Sequence, residues 1–567
     1  MAQDMEAIAK DKKDTRKDTS ERGKWHNSLE FMMSCLGFSV GVGALWKFPH
    51  VVMRNGGGAF LIVSAIFIVV CGIPLFFLES CIGQYFSMSP LRFWKMSPLF
   101  QGVGISMVLL STVFSVYYNT LIAWTLYYCV MCFRPTPPWN HVYNVLDLSR
   151  GFEFMGTLKW ELALAVTISW TLVFICLCKG VFSSRIAVYI TAPAPFILLT
   201  ILLIRASLLP GSLDGVLFYV TPDWDRLKSY QVWMEGFIYG FYSLGNGYGA
   251  VTTLGSYNRF HDKSLINSII ISIADLLAGI YCGFALFTIL GYMAYETGIP
   301  VSEIRNSGPG LIFITYPHTA SLLPLPQLWT VLFFLTCILL AVDSQFGAFK
   351  TLTSGLCDLY PGTLGKHKVL VCLAACVGGN LLGLIFITQG GMYYFQVVDW
   401  YSAALGTTTI SLFEGLAIAW VYGADNFCEN IKEMMPTLPN RVLKILKFHW
   451  KFVLPVICLV VLSITLWRFK PPTLNDYSYP DIAQTVGWVI ATGIVLPIPA
   501  AIVYGLFTTQ GSLMQRFKHL SAMRYDSFVK HSCDECKEKS YFSDLPLDKT
   551  ELEMCHMLPD VFQDDRA

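Results

Sequence analysis

The chain has 567 residues, of which 54% are hydrophobic and only 14% charged, whereas soluble globular proteins carry about 25% charged residues. Forty Lys and Arg against thirty-nine Asp and Glu leave a formal net charge of +1, which excludes the basic footprint of a nucleic-acid binder. A mean hydropathy of +0.52 points to lipid as the main solvent, and a polytopic all-α membrane protein is the expected class.

Apolar runs bounded by Gly, Pro and charges predict twelve spans, near 31–53, 59–86, 103–132, 161–178, 186–204, 233–256, 265–294, 327–356, 368–388, 393–422, 452–468 and 484–508. An even number puts both tails on one side. Lys10, Lys12, Lys13, Arg16, Lys17, Arg22 and Lys24 precede the first span, and Lys432, Arg441, Lys444, Lys447 and Lys451 fill the 426–451 connection. The positive-inside bias therefore predicts cytoplasmic termini. The polar start of the chain reads as a tail rather than a cleaved leader. Seventeen Cys, many standing singly in apolar runs as Cys71, Cys176 and Cys458 do, read as small buried residues rather than a disulfide framework.

Two spans are interrupted by glycine. The first contains Gly37-Phe-Ser-Val-Gly-Val-Gly-Ala44 and the sixth Ser243-Leu-Gly-Asn-Gly-Tyr-Gly249. Each interior Gly weakens a helix by about 1 kcal/mol relative to Ala, and unwound backbone inside a membrane survives only where protein or a cavity surrounds it. Close Gly-mediated packing explains one such segment. Two in corresponding positions of five-helix halves predict inverted-repeat architecture with a central site. The expected organisation is a 1–28 cytoplasmic tail, a first repeat over 29–205 and an extracellular loop over 206–232. A second repeat follows over 233–423, then a connector with two extra helices over 424–510 and a C-terminal tail over 511–567.

Ten ordered motifs accompany these breaks. They are Arg22-Gly-Lys-Trp25, Trp46-Lys-Phe-Pro49, Asn55-Gly-Gly-Gly-Ala-Phe60, Gly83-Gln-Tyr85, Tyr117-Tyr-Asn119, Leu209-Pro-Gly-Ser-Leu-Asp-Gly215, Ser256-Tyr-Asn258, Leu290-Gly-Tyr-Met-Ala294, Asp343-Ser-Gln-Phe346, and Asp358 before Pro361. Over about residues 22–510 the chain resembles the neurotransmitter:sodium symporter family, sodium- and chloride-dependent transporters of amino acids, osmolytes and amines.

The resemblance implies one sodium site built from the carbonyls of Gly37, Val40 and Leu340 and the side chains of Asp343 and Ser344. Oxygen donors with a nearby carboxylate suit a hard cation, and an intramembrane Asp is costly without such a partner. A structural hydrogen bond to a neighbouring helix is the other reading of Asp343. The second implied sodium site is atypical. Ala44 replaces the usual Asn, leaving the Ser39 carbonyl, Ser243 and Asp275, the last standing where Asn is usual. At the implied chloride site Ser64, Tyr239 and Gly279 replace Tyr, Gln and Ser, so chloride binding is expected to be degraded. Asp275 lies one helical turn before the position where chloride-independent relatives carry a carboxylate. Either Asp275 supplies the missing charge, with proton coupling a further option, or it merely bonds to Ser243.

The implied substrate pocket comprises Phe38, Gly41, Phe114, Tyr118, Tyr242, Tyr248 and Ser344, with Tyr242 and Tyr248 standing where Phe is usual. Gly41, where amine carriers have Asp, leaves room for a substrate carboxylate held by helix-end N–H groups and the Tyr118 hydroxyl. A small neutral amino acid or related zwitterion is the expected substrate. Lys47, in place of Arg, is expected to pair with Asp399 at an outer gate, and Arg22 with Asp358 at an inner one. Lys350, where Glu is usual, is expected near Glu79 or Glu414.

In the tail, Cys533, Cys536, Cys555 and His556 have a zinc-like look, although reduced cytosolic thiols are the commoner explanation. No catalytic motif is present, so neither an enzyme nor a cofactor is expected. The expected function is sodium-driven symport at the plasma membrane. The alternative is a member that no longer transports and serves as a binding or trafficking partner. A homo-oligomer or an accessory subunit remains open.

Overall fold

The computed structural model describes residues 23–134, 148–303, 310–474 and 477–521. Among them nine helices are long and apolar enough to cross a bilayer, and two sharply bent helix pairs raise the number to eleven. The sixth expected span supplies the twelfth, as Tyr230–Leu244 and Ala250–Gly255. It escapes a length criterion because residues 245–249 break it. Large apolar side chains such as Phe507, Trp467 and Leu208 are largely exposed, as expected where the surrounding medium is lipid tails.

Most boundaries follow the apolar runs closely: the seventh span is Ser264–Thr297 and the eighth Pro326–Leu359. The eleventh does not, because its helix runs from Asn440 to Trp467 rather than from 452. The extra turns are amphipathic. Leu443 and Leu446 are buried while Lys444 and Ile445 face outward, so they belong to a helix that hydropathy alone misses.

The first span consists of Ser28–Ser39 and Gly43–Arg54, whose axes differ by 53°. Its two critical glycines admit neighbours. A Cβ at Gly37 would lie 2.7 Å from Asp343 Oδ2, and one at Gly41 would lie 2.6 Å from Ser344 Oγ and 2.7 Å from the Tyr118 hydroxyl. Both separations are well inside van der Waals contact, so the third and eighth spans approach as they do only because these positions lack side chains. The sixth span breaks for a different reason. Gly245, Gly247 and Gly249 all have positive φ, +68°, +81° and +71°, a region that L-residues with side chains rarely occupy.

The released backbone of the sixth span finds a partner in the second, Gly58–Phe86. Fully buried Glu79 accepts the Gly247 N–H at 2.7 Å, satisfying a donor that no helix can. A core of Phe48, Phe60, Tyr219, Tyr239 and Phe287 locks the first, second, sixth and seventh spans together.

Candidate functional site

The two breaks face one cavity of about 40 Å³, lined by Phe38, Ser39, Gly41, Gly43, Ala44, Lys47, Phe114, Tyr118, Tyr239, Tyr242, Ser243, Gly245, Tyr248 and Ser344. Every residue expected in the substrate pocket borders it. Phe114 stacks on Tyr118 with ring centroids 4.6 Å apart, and Tyr248 stands edge-on to it at 5.4 Å. The Tyr118 hydroxyl accepts the Val42 N–H at 3.2 Å, so it is anchored to the start of the second half-helix of the first span.

Beside the cavity the eighth span meets the first. Ser344 Oγ lies 3.3 Å from the Gly37 carbonyl and 3.4 Å from the Leu340 carbonyl, bringing three oxygens into one cluster. Val40 ends the adjoining half-helix. Asp343 is buried, and its Oδ1 accepts a short hydrogen bond from Thr191 Oγ1 of the fifth span. Thr191 is a partner that the sequence reading missed. Its position one residue before the Ala192-Pro193 interruption of that span is the only local signal.

The second carboxylate is arranged differently. Buried Asp275 on the seventh span accepts a short hydrogen bond from Ser243 Oγ, which also lies 3.4 Å from the Tyr239 hydroxyl. Tyr239 stacks on Phe48, with centroids 4.6 Å apart. A Cβ at Gly279 would stand 3.1 Å from the Tyr239 hydroxyl. A side chain at 279 would therefore crowd the phenol at 239. Ser64 Oγ is buried without a hydrogen-bond partner among the described residues. The Ser39 side chain points to the Leu244 carbonyl at 3.4 Å, while its own carbonyl takes the Gly41 N–H at 3.0 Å.

At the Lys47 end, the Lys47 ammonium sits 2.7 Å from both Asp399 oxygens and donates to the Tyr242 hydroxyl at 3.0 Å. Tyr117 also donates to Asp399, at 3.0 Å. At the other end Arg22 lies outside the described residues, and Asp358 accepts the Ser89 N–H at 2.9 Å. Trp25 closes that end, its indole N–H donating to the Leu254 carbonyl at 3.0 Å.

Lys350 departs from expectation. It lies 5.0 Å over the Trp25 ring and 6.0 Å over the Tyr257 ring, a cation–π arrangement. Among the described residues the Glu414 oxygens have no hydrogen-bond partner, and Glu79 is engaged by Gly247. Intramembrane depth suggests the pairing, but the Lys350 side chain lies over the Trp25 and Tyr257 rings instead. The tail residues Cys533, Cys536, Cys555 and His556 lie outside the described residues. Among those described, no group of three or more His, Cys, Asp or Glu converges as a metal site.

The sequence profile of the sodium:neurotransmitter symporter family matches residues 22–146 and 141–509. The chain belongs to this family. The "Sodium- and chloride-dependent GABA transporter 2" of Rattus norvegicus is 36% identical over 542 residues, covering 88% of this chain and 90% of the relative. Its Mus musculus and Homo sapiens counterparts match with the same identity and coverage. The family is one of sodium-coupled symporters, so the chain is a multi-pass membrane protein of a transporter family, and the family implies Na⁺ as the coupling ion.

Proposed function

We propose that the protein carries a small zwitterion with a free carboxylate, a neutral amino acid or a related compound, across the plasma membrane by alternating access, with both termini in the cytoplasm. The reading rests above all on the Gly37, Leu340 and Ser344 oxygens gathered beside Asp343. Their hardness and the adjacent carboxylate suit Na⁺ as a co-transported cargo. In this reading Gly37, Val40 and Leu340 offer carbonyls, and Asp343 and Ser344 offer side-chain oxygens. The open space at Gly41, bordered by the Tyr118 hydroxyl and the start of the Gly43–Arg54 helix, receives the substrate carboxylate. Lys47 with Asp399 forms the outer latch. Trp25, Arg22 and Asp358 form the inner one. The similar rodent and human proteins are named for GABA, itself a zwitterion with a carboxylate, which fits the same pocket logic.

Those relatives are also named for chloride, and here the reading diverges. Asp275, Ser243 and Tyr239 fill the expected anion position with a fixed carboxylate and a phenol, so Asp275 replaces the charge of chloride. Ser39 and Ser243 remain as donors for a weakened first sodium site that lacks the Asn replaced by Ala44. Radiolabelled uptake in cells expressing the chain, over a panel of amino acids, tests both parts. Accumulation that needs sodium and survives replacement of chloride by gluconate is expected. Strict chloride dependence would remove the role given to Asp275. Absence of uptake despite normal surface delivery would favour a binding or trafficking subunit.

A further inference from the structure

The hydroxyls around the central cavity are not equivalent. Ser39 points to the Leu244 carbonyl, Ser243 to Asp275, and Ser344 to the carbonyls of Gly37 and Leu340. Tyr118 receives the Val42 N–H, and Tyr242 receives the Lys47 ammonium. Tyr248 is different: it is 2% exposed, and its hydroxyl has no hydrogen-bond partner among the described residues. The ring itself is well held. Its backbone carbonyl accepts from Ser111 Oγ at 2.6 Å, and its edge packs on Phe114 and Phe38 at 5.4 and 6.4 Å. So placed, the hydroxyl is buried away from solvent.

A buried hydroxyl without a partner is destabilising, and the cost is recovered only when something supplies one. Phe at this position would pack equally well without that cost. We propose that the partner is the substrate: the transported zwitterion carries a hydroxyl or amide on its chain, distal to the carboxylate, and Tyr248 selects for it. The inference rests on the transport reading above and adds the substrate class to it. A site built around a polar partner discriminates strongly against the analogue lacking it, because that analogue leaves the protein group unsatisfied again.

The test uses pairs differing by one polar group of nearly equal size, L-serine against L-2-aminobutyrate and 4-amino-3-hydroxybutyrate against 4-aminobutyrate. Sodium-dependent uptake is measured for the wild type and Tyr248→Phe, and sodium-dependent binding to the purified full chain is measured in parallel. In at least one pair the wild type is expected to favour the hydroxylated member by about tenfold. Tyr248→Phe should bring that ratio near one, mainly through a gain for the apolar member. Equal ratios in the two proteins, or a wild-type preference for the apolar member in both pairs, would overturn the proposal while leaving sodium-driven transport standing. A tenfold ratio in binding with no uptake would sink the transport reading alone. Failure of every probe to bind or be transported would overturn the substrate class.

Discussion

Two buried carboxylates near the middle of the same bundle make an instructive pair. Asp343 and Asp275 are each held by one short hydroxyl hydrogen bond, from Thr191 and Ser243. Around Asp343 the neighbours are backbone carbonyls and Ser344, a donor set that leaves a cation to be supplied. Around Asp275 they are the Ser243 hydroxyl, which donates to it, and the Tyr239 phenol, which lies 3.4 Å from that hydroxyl. In the function proposed above, the carboxylate among acceptors takes a cation, and the one bonded by a hydroxyl donor supplies a fixed negative charge. The residue type is the same, and the surrounding oxygens decide its task.

Substitutions sharpen this contrast. Asp343→Asn should have the largest effect, lowering sodium-driven uptake about 100-fold, since a lost charge-assisted contact in a dry site is worth several kcal/mol; surface biotinylation separates this from failed delivery. Asp275→Asn should lower uptake about tenfold in gluconate medium and regain part of it when chloride returns. Indifference to chloride in that variant would leave Asp275 a plain structural partner of Ser243. Thr191→Val removes one bond to Asp343 and should raise the half-saturating sodium concentration several-fold with little change in maximal rate, read from uptake against sodium. Tyr242→Phe takes one of three partners from Lys47. Interhelical hydrogen bonds in membranes average about 0.6 kcal/mol, so a rise of about threefold in KM is expected.

Much of the fold was legible in the chain because lipid imposes long apolar runs, and the two breaks were visible because glycines cluster there. Residue-by-residue resemblance brought Phe38, Phe114, Tyr118, Tyr242, Tyr248 and Ser344 to one pocket, and they do share a cavity. Contacts across helices were less legible. Thr191 reaches Asp343 from a position with no motif of its own. Lys350 turns toward Trp25 and Tyr257 because helix rotation, which hydropathy does not encode, sets its neighbours. Tyr239 and Gly279 are separate departures in the sequence, and only the structure shows that they adjoin, with the phenol occupying space that a side chain at 279 would need.

In the proposed function, sodium entering down its gradient at the Asp343 cluster moves a zwitterion uphill. Time-resolved radiolabelled uptake into vesicles containing the purified chain, with inward gradients of sodium, lithium or choline compared at equal ionic strength, tests it most directly. Transient accumulation above equilibrium in sodium alone, collapsing when the gradient is dissipated, is the predicted result. Equal accumulation in choline would contradict it.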